Sequence, residues 1–128
     1  MEMKALIIDD EDSIQGILSA FFNRYIADKN MQSAIVCMGD PVKSLFELTT
    51  HGDEYQLILL DVRIPRLSGD EIYSSLEQVN PGILDRIIFV TGYPEDLYER
   101  FPGKEFNILQ KPFRYSRFAE KLDSLFGN

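Results

Sequence analysis

Apolar and polar positions along this chain follow two alternating regimes. Lys4-Ala-Leu-Ile-Ile8 is a short aliphatic run cut off by acids, the pattern of a strand buried on both faces. From Asp12 the apolar residues Ile14, Ile17, Leu18, Phe21, Phe22 and Tyr25 recur at spacings of three and four. That spacing predicts an amphipathic helix, with Asp12 or Ser13 as its N-cap. Ser33 to Met38 reads as a second strand. Pro41 suits a first helical position after Asp40, and Val42, Leu45, Phe46 and Leu48 mark a short helix. Tyr55 to Leu60 is a third strand ending at Asp61, followed by a loop with Pro65 and a helix from about Ser68 to Val79. Asn80-Pro-Gly is a turn. Arg86 to Thr91 is a fourth strand, and a short helix near Pro94 must stop before Pro102-Gly103. Phe106 to Gln110 is a fifth strand. Tyr115, Phe118, Ala119, Leu122 and Leu125 line a last helix.

Strand then helix, five times over, predicts an α/β fold: a parallel sheet covered by helices on both faces. Right-handed crossovers make it an open, doubly wound sheet. The 128 residues fit one domain, residues 1–128, with no repeat or linker. A hydrophobic fraction of 45% is enough for one core. No apolar run reaches the roughly 20 residues of a membrane span, and the N-terminus lacks the long apolar region of a signal peptide.

The net charge is −8. Nucleic-acid binding depends on neutralising phosphates with Lys and Arg, so nucleic acid and anionic membrane are not expected partners. Cys37 is the only cysteine. It is expected as a small core residue, and a reducing cytoplasm is the simplest setting. His51, the only histidine, falls in a predicted polar loop and reads as a surface residue.

Ligands of an open parallel sheet bind beyond the carboxyl ends of its strands. Asp9 and Asp10 follow the first strand, Asp61 the third and Lys111 the fifth, while Thr91 ends the fourth. Taken singly, each has an ordinary explanation. Acids favour helix starts, Asp61 suits a turn, Thr91 suits a strand end, and Lys111 suits solvent. Together they meet on the one edge where the topology places a site. Three carboxylates in one pocket repel each other unless a cation intervenes. Hard oxygen ligands with open positions suit Mg²⁺. Asp61 is then a candidate nucleophile toward phosphorus, with Thr91 and Lys111 neutralising phosphoryl oxygens.

These residues resemble the receiver domains of bacterial two-component signalling over essentially the whole chain. The resemblance is carried by Leu6-Ile-Ile-Asp-Asp-Glu11, Leu59-Leu-Asp-Val-Arg-Ile-Pro-Arg-Leu-Ser-Gly69, Ile87-Ile-Phe-Val-Thr-Gly92 and Leu109-Gln-Lys-Pro-Phe113. The last is similar to receivers fused to hybrid histidine kinases. The resemblance implies a flavodoxin-like sheet in the order 2-1-3-4-5 and Asp61 as phosphoacceptor. It implies Mg²⁺ bound by Asp10, Asp61 and the backbone carbonyl of Arg63, with Asp9 acting mainly through water. Thr91 and Lys111 would hold the phosphoryl group, and the Lys111–Pro112 bond would be cis. The implied donor is a phosphohistidine on a histidine kinase or phosphotransfer protein, with small acyl phosphates as substitutes. A downstream protein target follows, and a phosphorylation-dependent homodimer is a further option. Such a domain is a signalling module, not a classical enzyme, although it assists its own phosphorylation and dephosphorylation.

The chain departs from the family pattern at four places. Ile64 stands where Met is common, Arg63 is a large cation beside the site, the fourth helix is short, and Ile108 replaces an aromatic residue. Arg63 is expected either to screen a phosphoryl group from water, to orient water, or simply to be solvated. Ile108 cannot act as a polar-tipped lever, which shifts the expected output to the loop from Gly92 to Glu95 and the fourth helix. Three alternatives compete. A haloacid-dehalogenase-type phosphatase would place its nucleophile first and its acidic pair late, the reverse of this order. A pseudo-receiver would not keep all five polar residues. A receiver fragment of a longer regulator or hybrid kinase has the same sequence features as a free-standing one.

Overall fold

The aliphatic runs become strands because their side chains can be buried on alternate faces. In the computed structural model, which describes residues 2–127, the strands are β1 (Glu2–Ile8), β2 (Gln32–Met38), β3 (Leu57–Leu60), β4 (Ile87–Thr91) and β5 (Ile108–Gln110). All pair in parallel, in the order β2-β1-β3-β4-β5. The helices are α1 (Asp12–Asp28), α2 (Pro41–His51), α3 (Gly69–Val79), α4 (Glu95–Arg100) and α5 (Tyr115–Phe126).

Strand periodicity sorts the core into two layers. Ala5, Ile7, Leu57, Leu59, Ile88, Val90 and Leu109 face α1 and α5, meeting Leu18, Phe22, Ile26, Phe118 and Leu122. Leu6, Ile8, Ile58, Leu60, Ile87 and Phe89 face the other way, meeting Leu48 of α2, Ile72 and Leu76 of α3 and Leu97 of α4. Ala5 to Ile8 and Leu57 to Leu60 are essentially fully buried. A strand so enclosed cannot shift register without putting every side chain on the wrong face. The residues just after these strands are therefore held in place.

Several local expectations are corrected. Asp12 and Ser13 lie inside the first turn of α1; its N-cap is Glu11, which makes no side-chain cap bond. β3 starts at Leu57 because the Tyr55 N–H bonds back to the Gly52 carbonyl, closing a 3₁₀ turn. Residues 81–86 form a 3₁₀ helix in place of a simple turn, so β4 starts one residue later, at Ile87. β5 is shorter than its apolar run, and Phe106 packs in a cluster of rings with Tyr73, Phe89, Tyr98 and Phe101. Cys37 is exposed and not a core residue, because β2 is an edge strand. Val42 and Phe46 also face outward, at 58% and 67% exposure, while Ser44 of α2 is buried with its hydroxyl donating to the Asp40 carbonyl. His51 is the last residue of α2 and not a loop residue; it is exposed and bonded to Glu47. Among the described residues no helix is long and apolar enough to cross a membrane.

Candidate functional site

The buried strands β1 and β3 deliver Asp9 and Asp61 side by side. The Asp61 N–H bonds to the Ile8 carbonyl at 3.0 Å, and the Asp9 N–H bonds to the Met38 carbonyl at 3.1 Å. Both carboxylates are nearly closed to solvent, at 1% and 6% exposure, whereas Asp10 is exposed. Oxygens of Asp9, Asp10 and Asp61 all lie within 4.8 Å of one another. The Glu11 N–H donates to Asp9 Oδ1, and the Gln15 side-chain amide donates to the Asp9 carbonyl at 2.6 Å. Gln15 was not among the expected residues. Nothing in the pattern of α1 distinguishes it from any polar residue on an exposed face.

Lys111 reaches this cluster from the opposite side. Its N–H bonds to the Thr91 carbonyl, aligning the ends of β4 and β5. Its Nζ donates to Asp9 Oδ2 at 3.1 Å and Asp61 Oδ2 at 3.4 Å. The Lys111–Pro112 peptide is cis. Burial pulls the Lys111 ammonium toward neutrality, but its bonds to Asp9 and Asp61 outweigh that and raise its pKa. Asp61 is pushed up to about 6, first by burial and then by the Asp9 charge, with Lys111 and a backbone bond from Arg63 opposing. A carboxylate under that stress favours any arrangement bringing more positive charge to its oxygens.

Gly69 shows why α3 starts where it does. A Cβ there would collide with the Asp61 carbonyl oxygen and crowd Val62, so only glycine lets the helix start pass this close. Its N–H donates to the Val62 carbonyl at 2.8 Å. The sequence contains the signal, a glycine eight residues after Asp61, but spacing alone does not say what it touches.

Thr91 is fully buried at the end of β4, and its hydroxyl oxygen accepts from the Tyr93 N–H at 3.0 Å. The Arg63 side chain does not enter the carboxylate cluster. Its Nε and Nη2 donate to the two oxygens of Asp96 at 2.8 and 3.2 Å, and its guanidinium carbon sits 3.4 Å from the Tyr93 ring centroid. The pairing raises the Arg63 pKa and lowers that of Asp96. Tyr93 and Asp96 fall within the loop and fourth helix expected to carry the output, but the sequence singles out neither as a partner of Arg63. Their link to Arg63 spans about thirty positions (63 to 96) and follows no motif.

The comparisons with known proteins agree with this architecture. Residues 5–123 match the response regulator receiver domain family, and the chain belongs to that family. It is 33% identical over 119 residues to an uncharacterized response regulatory protein of Shewanella oneidensis, covering 91% of this chain and 46% of that protein. It is 29% identical to the sensor kinase CckA of Brucella abortus, covering 94% of this chain and 12% of the kinase. The chain thus spans about half the length, or less, of these curated relatives. A receiver domain from Clostridium thermocellum aligns with a TM-score of 0.78 at 17% identity, covering 98% of this chain and 94% of that one. The receiver domain of a Pseudomonas aeruginosa sensor histidine kinase, with magnesium coordinated in its active-site cleft, aligns at 0.77 and 19%, covering both chains fully. The doubly wound sheet in the order 2-1-3-4-5 is the flavodoxin-like fold of these neighbours.

Proposed function

We propose that this receiver domain takes a phosphoryl group on Asp61 with Mg²⁺ and so switches a protein partner. The observation that carries the proposal is the Asp61 carboxylate. It is buried, raised in pKa, and held between two further carboxylates and the Lys111 ammonium. The donor set fits a hard divalent cation, because three carboxylate oxygens converge where their mutual repulsion calls for one. Asp10, Asp61 and the Arg63 carbonyl would hold the ion, with Asp9 acting through water. Bound there, Mg²⁺ supplies charge neutralisation for phosphoryl oxygens. An Asp61 oxygen attacks phosphorus, forming an O–P bond as the N–P bond of a donor phosphohistidine breaks. Lys111 neutralises a phosphoryl oxygen and the Thr91 hydroxyl donates to another. The donor is a histidine kinase or phosphotransfer protein, the setting is cytoplasmic, and the output is a downstream protein, with a homodimer of the phosphorylated form as one route.

Intact mass after incubation with acetyl phosphate and Mg²⁺ tests the assignment. Wild type gains one phosphoryl group and Asp61→Asn gains none. Equal gain by both overturns it. A second reading, a receiver segment of a longer regulator or hybrid kinase, draws support from the partial coverage of the relatives. The neighbouring reading frame decides it: continuation into a kinase or effector domain favours the segment.

A further inference from the structure

Between the ends of β3 and β4 runs a closed circuit of contacts through the side chains of Arg63, Asp96 and Tyr93, none of which the proposed phosphoryl transfer uses. Arg63 is two residues beyond Asp61, so its backbone is tied to the end of β3. Its side chain grips the other strand's loop in two ways: a two-pronged bond to Asp96 and a stack on the Tyr93 ring. The gripped segment is one unit, because the Asp96 N–H bonds to the Tyr93 carbonyl at 3.1 Å and the Leu97 N–H to that of Pro94. The Tyr93 N–H closes the circuit on the Thr91 hydroxyl oxygen. Glu95 adds a second negative charge near the guanidinium, but Asp96 alone makes the paired bonds.

We propose that Asp96 and Tyr93 hold Arg63 as a clasp that restrains the Thr91 hydroxyl in the unphosphorylated state, making Arg63 a positioning residue for phosphoryl binding. The proposal rests on the reading of Asp61 as phosphoacceptor. A shift of Thr91 toward a group on Asp61 must either break its bond to Tyr93 or carry Tyr93 with it. Carrying Tyr93 slides the ring off the guanidinium and strains the Asp96 bonds. Either route gives up contacts, so the clasp opposes the phosphoryl-bound state. The clasp also occupies the guanidinium fork, which would otherwise be free to face an incoming anion. An exposed forked pair with a cation–ring contact corresponds to a restraint of about 3- to 10-fold.

Beryllofluoride serves as the phosphoryl probe. Asp96→Asn should bind it with Mg²⁺ about 3- to 10-fold more tightly than wild type, a factor set by the same weak contacts. Mg²⁺ affinity without beryllofluoride should stay unchanged, which a general loosening of the fold would not predict. In an Arg63→Ala background the Asp96→Asn gain should vanish, and Arg63→Lys, which keeps the charge but not the fork, should retain only part of it. In the unmodified protein, exchange of the Tyr93 amide should speed up in Asp96→Asn while that of Ile88 stays constant. Unchanged beryllofluoride affinity, or an equal gain with Ala at position 63, overturns the clasp. If wild type binds no beryllofluoride, the phosphoacceptor reading itself falls. Tyr93 exchange then decides whether the clasp exists at all.

Discussion

The two sides of the carboxyl edge are built by different physics. On one side, Asp9 and Asp61 end strands whose residues are essentially fully buried, and backbone bonds to Ile8 and Met38 align them. On the other, α4 has six residues and one fully buried side chain, Leu97. Its further ties include the ion pairs Arg63–Asp96 and Arg100–Asp70, each with an exposed arginine, and a tilted contact of the exposed Tyr98 ring with Phe106. Buried registry is cooperative and costly to disturb, whereas exposed pairs are individually weak and exchange readily. The carboxylate cluster thus sits on the rigid side. The segment best able to move lies one loop away, joined to it through Thr91 and Arg63.

The sharpest way to break this contrast is to damage the rigid side. Gly69→Ala drives a methyl group into the Asp61 carbonyl, with only backbone there to yield. A loss of about 3 kcal/mol or more is expected in urea unfolding. A loss below about 1 kcal/mol would show that the start of α3 can give way, and that this edge is softer than its burial implies.

Leu97→Ala removes the only fully buried anchor of α4. Truncation should cost about 2–4 kcal/mol and expose the amides of residues 95–101 to exchange before those of β1 and β3. Equal loss of protection in all three would mean that α4 unfolds only with the core.

Asp61→Asn probes the electrostatic stress within the rigid side. Asp61 is raised to about 6 in the folded protein, against an ordinary value of about 3.9. The folded state therefore binds the proton more tightly than the unfolded one. The penalty for ionised Asp61 is absent below about pH 4, accrues between about pH 4 and 6, and is complete above. In chelator-treated protein at pH 7 the variant should be more stable than wild type by roughly 1–3 kcal/mol, the gap closing as pH falls toward 4. Added Mg²⁺ should stabilise wild type and leave the variant largely unchanged. A variant less stable than wild type at pH 7 would contradict the raised pKa.

Arg100→Ala is the mildest test. It removes one exposed pair to Asp70 and should cost no more than about 0.5 kcal/mol. That cost should disappear at 1 M salt, where exposed charges are screened. A larger effect that survives salt would show the α3–α4 seam to be stronger than a surface contact.

Much of the candidate site was legible in the sequence because strand periodicity and topology act locally. The aliphatic runs before Asp9, Asp61 and Thr91 predict buried strands, and a parallel sheet places whatever follows them on one edge. Cys37 and Phe46 show where pattern reading fails. Both are apolar in the sequence and exposed in the fold, because periodicity cannot say which strand is an edge or how much of a helix the sheet covers. The short fourth helix followed from Pro94 and Pro102-Gly103, but what it leans on did not.

The sequence by itself determined the alternation of strands and helices, the candidate set Asp9, Asp10, Asp61, Thr91 and Lys111, and the family resemblance they carry. The tertiary structure alone decided that Lys111 bonds to both Asp9 and Asp61, that Gly69 passes against the Asp61 carbonyl, and that Arg63 turns toward Asp96 and Tyr93. Backbone periodicity is written within a few residues of each position. A side chain's choice of partner is set by whichever distant segments the packed sheet and helices bring within a few ångströms of it.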